Sequence, residues 1–89
     1  MSFQGKTAWI TGASSGIGEA LAYALSQQGA RLILSARRVE ELERVKAQCA
    51  NPAAHLVLPL DLADFDAKAL TQQVLAQMGQ VDILVNSGG

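Results

Sequence analysis

The stretch Thr11-Gly12-Ala13-Ser14-Ser15-Gly16-Ile17-Gly18 constrains the fold of this 89-residue chain more than any other segment. A short apolar run, Ala8-Trp9-Ile10, leads into it. A helix-patterned segment with Ile17, Ala20, Leu21, Ala24 and Leu25 on one side leads out. In a strand, glycine-rich turn and helix, three glycines let the backbone turn tightly, approach a pyrophosphate closely and pack the helix on its strand. The helix N-terminus then offers unpaired N–H groups and the positive end of its dipole to phosphate. The stretch therefore reads as a dinucleotide-binding turn.

The rest of the chain alternates strand and helix. Strands are expected at Thr7 to Ile10, Arg31 to Ser35, His55 to Leu60 and Val81 to Asn86. Helices are expected at Ile17 to Gln28, stopped by Gly29, and at Val39 to Ala50, stopped by Asn51-Pro52. A third helix, capped by Asp64, carries Ala67, Leu70, Val74 and Met78 at helical spacing and is closed by Gly79. Leu32-Ile33-Leu34 is an uninterrupted apolar run, as in a strand buried on both faces. Pro59 marks the end or edge of the third strand, and Glu40 and Arg44 stand four apart as a surface pair.

A helix in every strand-to-strand connection predicts parallel strands with right-handed crossovers, an α/β fold in the order 3-2-1-4. That order is the first half of a doubly wound, Rossmann-type sheet plus one strand beyond the switch point. It sets the glycine turn at the carboxyl edge, beside the crevice between the first and fourth strands. The first two helices are expected on one face and the third on the other, with the fourth strand at an open edge. Residues 1–89 read as one unit.

Composition excludes several classes. The net charge of -1, with Lys and Arg dispersed, offers no electrostatic footprint for nucleic acid. A single cysteine, Cys49, excludes an internal disulfide and a cysteine-based zinc site. No run has the length of a membrane span or the apolar core of a signal peptide, so a cytoplasmic location is expected.

The pattern Thr11-Gly12-x-x-x-Gly16-Ile17-Gly18 resembles the cofactor motif of the short-chain dehydrogenase/reductase family. Asp61-Leu62 after the third strand, Asn86-Ser87-Gly88-Gly89 after the fourth, and the order of the elements extend the resemblance over essentially the whole chain. The branch it looks most like is the dehydrogenase/reductase member-seven-like group, through Leu34-Ser35-Ala36-Arg37-Arg38, Glu41 to Lys46, Val57 to Leu62 and the Gly88-Gly89 ending. Such proteins are linked with reduction of steroid, retinoid or other carbonyl compounds.

The resemblance implies hydride transfer between a nicotinamide cofactor and a small carbonyl or alcohol substrate, in a homo-oligomer when complete. It makes Gly12, Gly16, Gly18 and the Ile17 N–H the pyrophosphate cradle, with the Ile17 side chain packed. Ser14 and Ser15 either bond phosphate or ribose or cap the helix. Asp61, with Leu62, is expected at the adenine, and Asn86 and Gly88 on the adenosine side of the crevice. Ser87 replaces the second Asn usual in the family. Thr11 is expected to tie the first strand to the fourth, and Trp9, Tyr23 and His55 to be structural.

The resemblance sets the catalytic Ser, Tyr and Lys downstream of the fourth strand, the last two as Tyr-x-x-x-Lys. Tyr23, the only tyrosine, is followed four residues later by Gln27. The chain is therefore expected to be the cofactor-binding part of a longer reductase, marginally stable alone and without catalytic residues of its own. A non-catalytic dinucleotide-binding or sensing module is the alternative.

Arg37 and Arg38 bear on which cofactor. About twenty residues beyond the glycine turn, NAD-binding folds place an acidic residue on the ribose 2′-OH. Here the matching position is Ala36, followed by two guanidinium groups whose fork suits a phosphate dianion. Positive charge at a helix start is otherwise mildly unfavourable. A hydrogen bond to a charged group contributes roughly 1.5–3 kcal/mol, so one good contact favours NADP over NAD by about ten- to a hundredfold.

Overall fold

The structure is a computed structural model, and it describes residues 3–14, 16–59, 72–76 and 79–86. Strands β1 (Thr7–Thr11), β2 (Arg31–Ser35), β3 (Leu56–Val57) and β4 (Ile83–Asn86) form one sheet in the order β3-β2-β1-β4. Every neighbouring pair is parallel, as expected. Helix α1 (Gly16–Gln27) links β1 to β2. Helix α2 (Val39–Gln48) and a short 3-10 turn (Pro52–Ala54) link β2 to β3. Residues 72–76 are helical and precede β4.

Alternation along the two central strands divides the core. Ala8, Ile10, Leu32 and Leu34 point to one face and pack with Ala22 of α1 and Leu42 and Val45 of α2. Trp9 and Ile33 point to the other and pack with Leu58 and Val74. The first two helices thus share one face and the helical segment around Val74 lies on the opposite one. Trp9 keeps its indole N–H satisfied by donating to the buried Ser35 hydroxyl at 2.8 Å, so that each polar group pairs with the other inside the sheet.

Helix α1 departs from its expected apolar stripe. Its buried face is Gly18, Ala22 and Ser26, while Ala20 and Ala24 are exposed and Ile17 is 73% exposed. Leu21 and Leu25 only flank the core. Small side chains on the buried face let a helix sit close to its sheet, and small residues carry little hydropathy signal, so the larger apolar residues mislead. Ser26 makes this face polar without leaving it unsatisfied: its hydroxyl donates to the Tyr23 carbonyl at 2.9 Å and accepts the Ala50 N–H at 3.1 Å.

Other boundaries shift for local reasons. Helix α2 ends at Gln48 rather than Ala50, because Asn51 takes a left-handed φ of 53° before Pro52. Strand β3 is two residues long, with the ladder continued by the Leu58 N–H on the Leu34 carbonyl at 2.9 Å. Pro59 lies exposed beyond it. Gly29 (φ 94°) and Gly79 (φ 81°) close the first and third helices as expected. Asp64, Ala67, Leu70 and Met78 lie outside the described residues. Arg44 pairs with Glu41, three residues back, and with Glu19 of α1, not with Glu40.

His55 is a structural residue, as expected, but a demanding one. It is 5% exposed; its Nδ1 accepts the Leu32 N–H at 3.0 Å, and Nε2 lies 2.7 Å from the Ala50 carbonyl. Those two bonds require the neutral ring with its proton on Nε2. Burial holds the His55 pKa below its ordinary value, aided by Lys46 and opposed by the Ala50 bond. In the unfolded chain the ring protonates at the ordinary value, so the unfolded state binds more protons below it. Stability is therefore expected to fall as pH drops through and below about 6.5. The Tm measured from pH 8 to pH 5 should show this loss, and His55→Gln should flatten it.

Candidate functional site

Parallel registry collects the candidate residues at one edge. Thr11, the last residue of β1, stands opposite Ser35 of β2 and Asn86 of β4. All three strands thus end level, and the chain leaves each at the carboxyl edge of the sheet. The Thr11 hydroxyl ties β1 to β4 as expected, with Oγ1 3.3 Å from the Val85 carbonyl and 2.9 Å from Asn86 Oδ1.

Between β1 and α1 the backbone reverses through two left-handed glycines, Gly12 at φ 67° and Gly16 at φ 58°. L side chains are strained there, which is why both positions are glycine. A Cβ built on Gly16 would meet nothing within 4 Å, so its requirement is conformational and the space before it is open. Gly18 lies in the buried face of α1. The three glycines thus divide the work: Gly12 and Gly16 shape the turn, and Gly18 seats the helix.

The turn is held on both sides. Ala13 is fully buried, and its N–H donates to the Ser35 carbonyl at 3.1 Å. On the outer side Arg44 Nη2 donates to the Ser14 carbonyl at 3.1 Å. The Ser14 hydroxyl has no partner among the described residues. Ile17, expected to pack its side chain, projects outward at the start of α1, where the helix's first amides have no acceptor inside the helix.

Arg37 and Arg38 follow β2 directly on the same edge. Both are exposed, and neither side chain has a hydrogen bond or ion pair among the described residues. Arg38 stands at the N-cap of α2 in extended backbone, its carbonyl accepting the Leu42 N–H at 3.2 Å. Asn86 is exposed at the end of β4. Of the expected set, Gly12, Ser14, Gly16, Ile17, Gly18, Arg37, Arg38 and Asn86 share this edge. Ser15, Asp61, Leu62 and Gly88 lie outside the described residues.

Sequence reading missed Arg44 and Asp82. Glu19 receives both terminal nitrogens of Arg44 at 3.2 Å, and Tyr23 donates its hydroxyl to Glu19 at 2.7 Å. Hydrogen bonding to Arg44, then to Tyr23, holds the Glu19 carboxyl below its ordinary pKa. Burial, then the bond to Glu19, pushes the Tyr23 phenol up. Asp82 accepts the Thr7 N–H on Oδ2 and donates its own N–H to the Thr7 carbonyl, both at 2.9 Å, which aligns β4 with β1. No local spacing signals either contact, since the partners are 25 to 75 residues apart.

The arrangement can hold an elongated anion but has little with which to move protons. Ser35 is committed to Trp9 and His55 to backbone. Cys49 is buried, and that burial raises its thiol pKa. No group of three or more His, Cys, Asp or Glu side chains among the described residues is placed to bind a metal ion. No helix among them is long and apolar enough to cross a membrane.

Known proteins share both the pattern and the fold. The family model for short chain dehydrogenase matches residues 6–89. Dehydrogenase/reductase SDR family member 7 of Homo sapiens is 58% identical over 87 residues, covering 91% of this chain and 26% of the relative. The member 7-like protein of Drosophila melanogaster is 52% identical over 91 residues, covering 96% and 28%. The chain therefore spans about a quarter of the length of these relatives. Glucose dehydrogenase of Caenorhabditis elegans superposes with a TM-score of 0.88 at 32% identity, covering all of this chain and 40% of that one. The 3-ketoacyl-(acyl-carrier-protein) reductase of Brucella melitensis, solved with NADH, gives 0.81 at 36% identity, covering 93% and 34%. With its glycine turn, parallel 3-2-1-4 sheet and matched length, the chain belongs to the short-chain dehydrogenase family.

Proposed function

We propose that this chain is the NADP-binding part of a short-chain oxidoreductase that transfers hydride between the nicotinamide and a small carbonyl or alcohol substrate. The observation that carries the reading is the pair Arg37 and Arg38. Both are exposed and without a partner among the described residues, on the edge shared with the left-handed glycine turn. The residues fit the cofactor. Open space stands before Gly16, and the start of α1 supplies free amides and a positive dipole end for a pyrophosphate. Two guanidinium groups one element away supply charge for a 2′-phosphate. When bound, the nicotinamide supplies the hydride donor or acceptor. This chain's own residues bind and orient it: Gly12, Gly16 and Gly18 admit the backbone, Asn86 lines the β4 side, and Arg37 selects the ribose substituent. The relative solved with NADH is a reminder that the glycine turn alone does not choose between cofactors.

Equilibrium titration with NADPH and NADH tests this, read by energy transfer from Trp9, the only tryptophan, to the reduced nicotinamide. NADPH is expected to bind tighter than NADH by about ten- to a hundredfold. Equal affinities, or no binding of either, would overturn it.

A further inference from the structure

Arg44 touches three separate pieces of chain. Its Nη1 and Nη2 each donate to Glu19 of α1 at 3.2 Å, Nη2 donates to the Ser14 carbonyl in the glycine turn at 3.1 Å, and Nε donates to Glu41 at 3.3 Å. The side chain is 39% exposed, so its ion pairs contribute little to stability. Its value lies in geometry. A guanidinium offers a rigid fork of donors, and this fork spans α2, α1 and the turn at once.

Two consequences follow for an anion at the start of α1. A backbone carbonyl committed to Arg44 cannot rotate toward a phosphate, whose oxygens it would repel. Glu19 sits in the first turn of α1, where a free carboxylate would oppose a pyrophosphate; Arg44 neutralises it across both oxygens, and the Tyr23 hydroxyl also donates to its Oε2. Arg44 also lies on the helix that begins directly after Arg38. The same side chain therefore fixes α2, and with it the arginine corner, against the turn.

Resting on the reading of the turn and corner as one dinucleotide site, we propose that Arg44 is a positioning residue. By bridging the Ser14 carbonyl and Glu19, it sets the distance between the pyrophosphate turn and the Arg37-Arg38 corner, so that one nucleotide spans both. Arg44 makes no contact with the cofactor itself.

The test compares the wild type with Arg44→Gln and Arg44→Lys for NADPH and for 2′-AMP, a probe that reaches the corner without reaching the turn. In Arg44→Gln the Kd for NADPH is expected to rise about tenfold, the loss of one charge-assisted bond that orders a loop. The Kd for 2′-AMP and the Tm should be nearly unchanged. Arg44→Lys, which keeps the charge but loses the fork, should bind NADPH about as poorly as Arg44→Gln. Full NADPH affinity in Arg44→Lys would show that charge alone matters and would overturn the proposal. Unchanged NADPH affinity in Arg44→Gln, or an equal loss for both probes, would overturn it as well. Failure of the wild type to bind NADPH would instead remove the cofactor reading on which it rests.

Discussion

Replacing Arg37 with aspartate is expected to reverse the cofactor preference. Arg37 is exposed at the end of β2, next to the N-cap of α2, with no side-chain partner among the described residues. It therefore carries no structural burden that the substitution would remove, and the fold should survive. The loss of a charge-assisted bond to the 2′-phosphate costs roughly 1.5–3 kcal/mol, or about ten- to a hundredfold in affinity. The introduced carboxylate adds repulsion of the dianion, so about a hundredfold weakening for NADPH is the expected result. NADH, with a free 2′-OH, gains an acceptor and should bind as well or better. Direct titration of both nucleotides checks this, with Arg37→Ala separating lost attraction from added repulsion. A preference unchanged in Arg37→Asp would remove Arg37 from the site.

Gly16→Val is expected to damage both the turn and the cofactor site. The backbone at Gly16 lies at φ 58° and a Cβ there would meet nothing within 4 Å. The penalty is thus not a clash with neighbours but the left-handed conformation itself, about 1–2 kcal/mol for an L residue and worse when β-branched. The turn escapes that strain by moving, which misplaces the first amides of α1. Tm should fall by about 4–8 °C for each kcal/mol in a domain of this size, and NADPH affinity by at least about tenfold. Gly5 makes a matched control. It has φ 81°, also with nothing within 4 Å of its Cβ position, but lies before β1, away from the carboxyl edge. Gly5→Val should lose comparable stability and keep the wild-type NADPH affinity. Equal loss of cofactor affinity in both variants would mean that Gly16 acts only through stability.

Features encoded by short-range pattern were legible in the sequence, and those encoded by distant contacts were not. The apolar run Leu32-Ile33-Leu34 reads as a strand covered on both faces, and all three residues are buried. Helical connections between strands imply parallel order, and Gly29 was legible as the positive-φ stop of the first helix. The stripe on α1 was misread because its sheet-facing positions are Gly18, Ala22 and Ser26. Close packing there selects for small size, and size is invisible to a hydropathy pattern. Ile17 looked like a core residue for the same reason, yet stands 73% exposed at the open end of the helix. Helical spacing pairs Arg44 with Glu40, four residues back, because spacing along the chain is all that a sequence displays. Besides Glu41, Arg44 bonds Glu19 and Ser14, 25 and 30 residues away. The placement of Arg37 and Arg38 was legible for the opposite reason, since both follow β2 directly.

One nicotinamide nucleotide is proposed to lie across the glycine turn and the arginine corner. The NADPH titration followed at the backbone amides by NMR tests it most directly. Large shifts are expected at Gly12, Gly16, Ile17 and Gly18 and at Arg37 and Arg38, with the last two losing theirs when NADH replaces NADPH. Shifts gathered elsewhere, such as on the outer face of β4 around the exposed Leu84, with the turn amides unmoved, would contradict it.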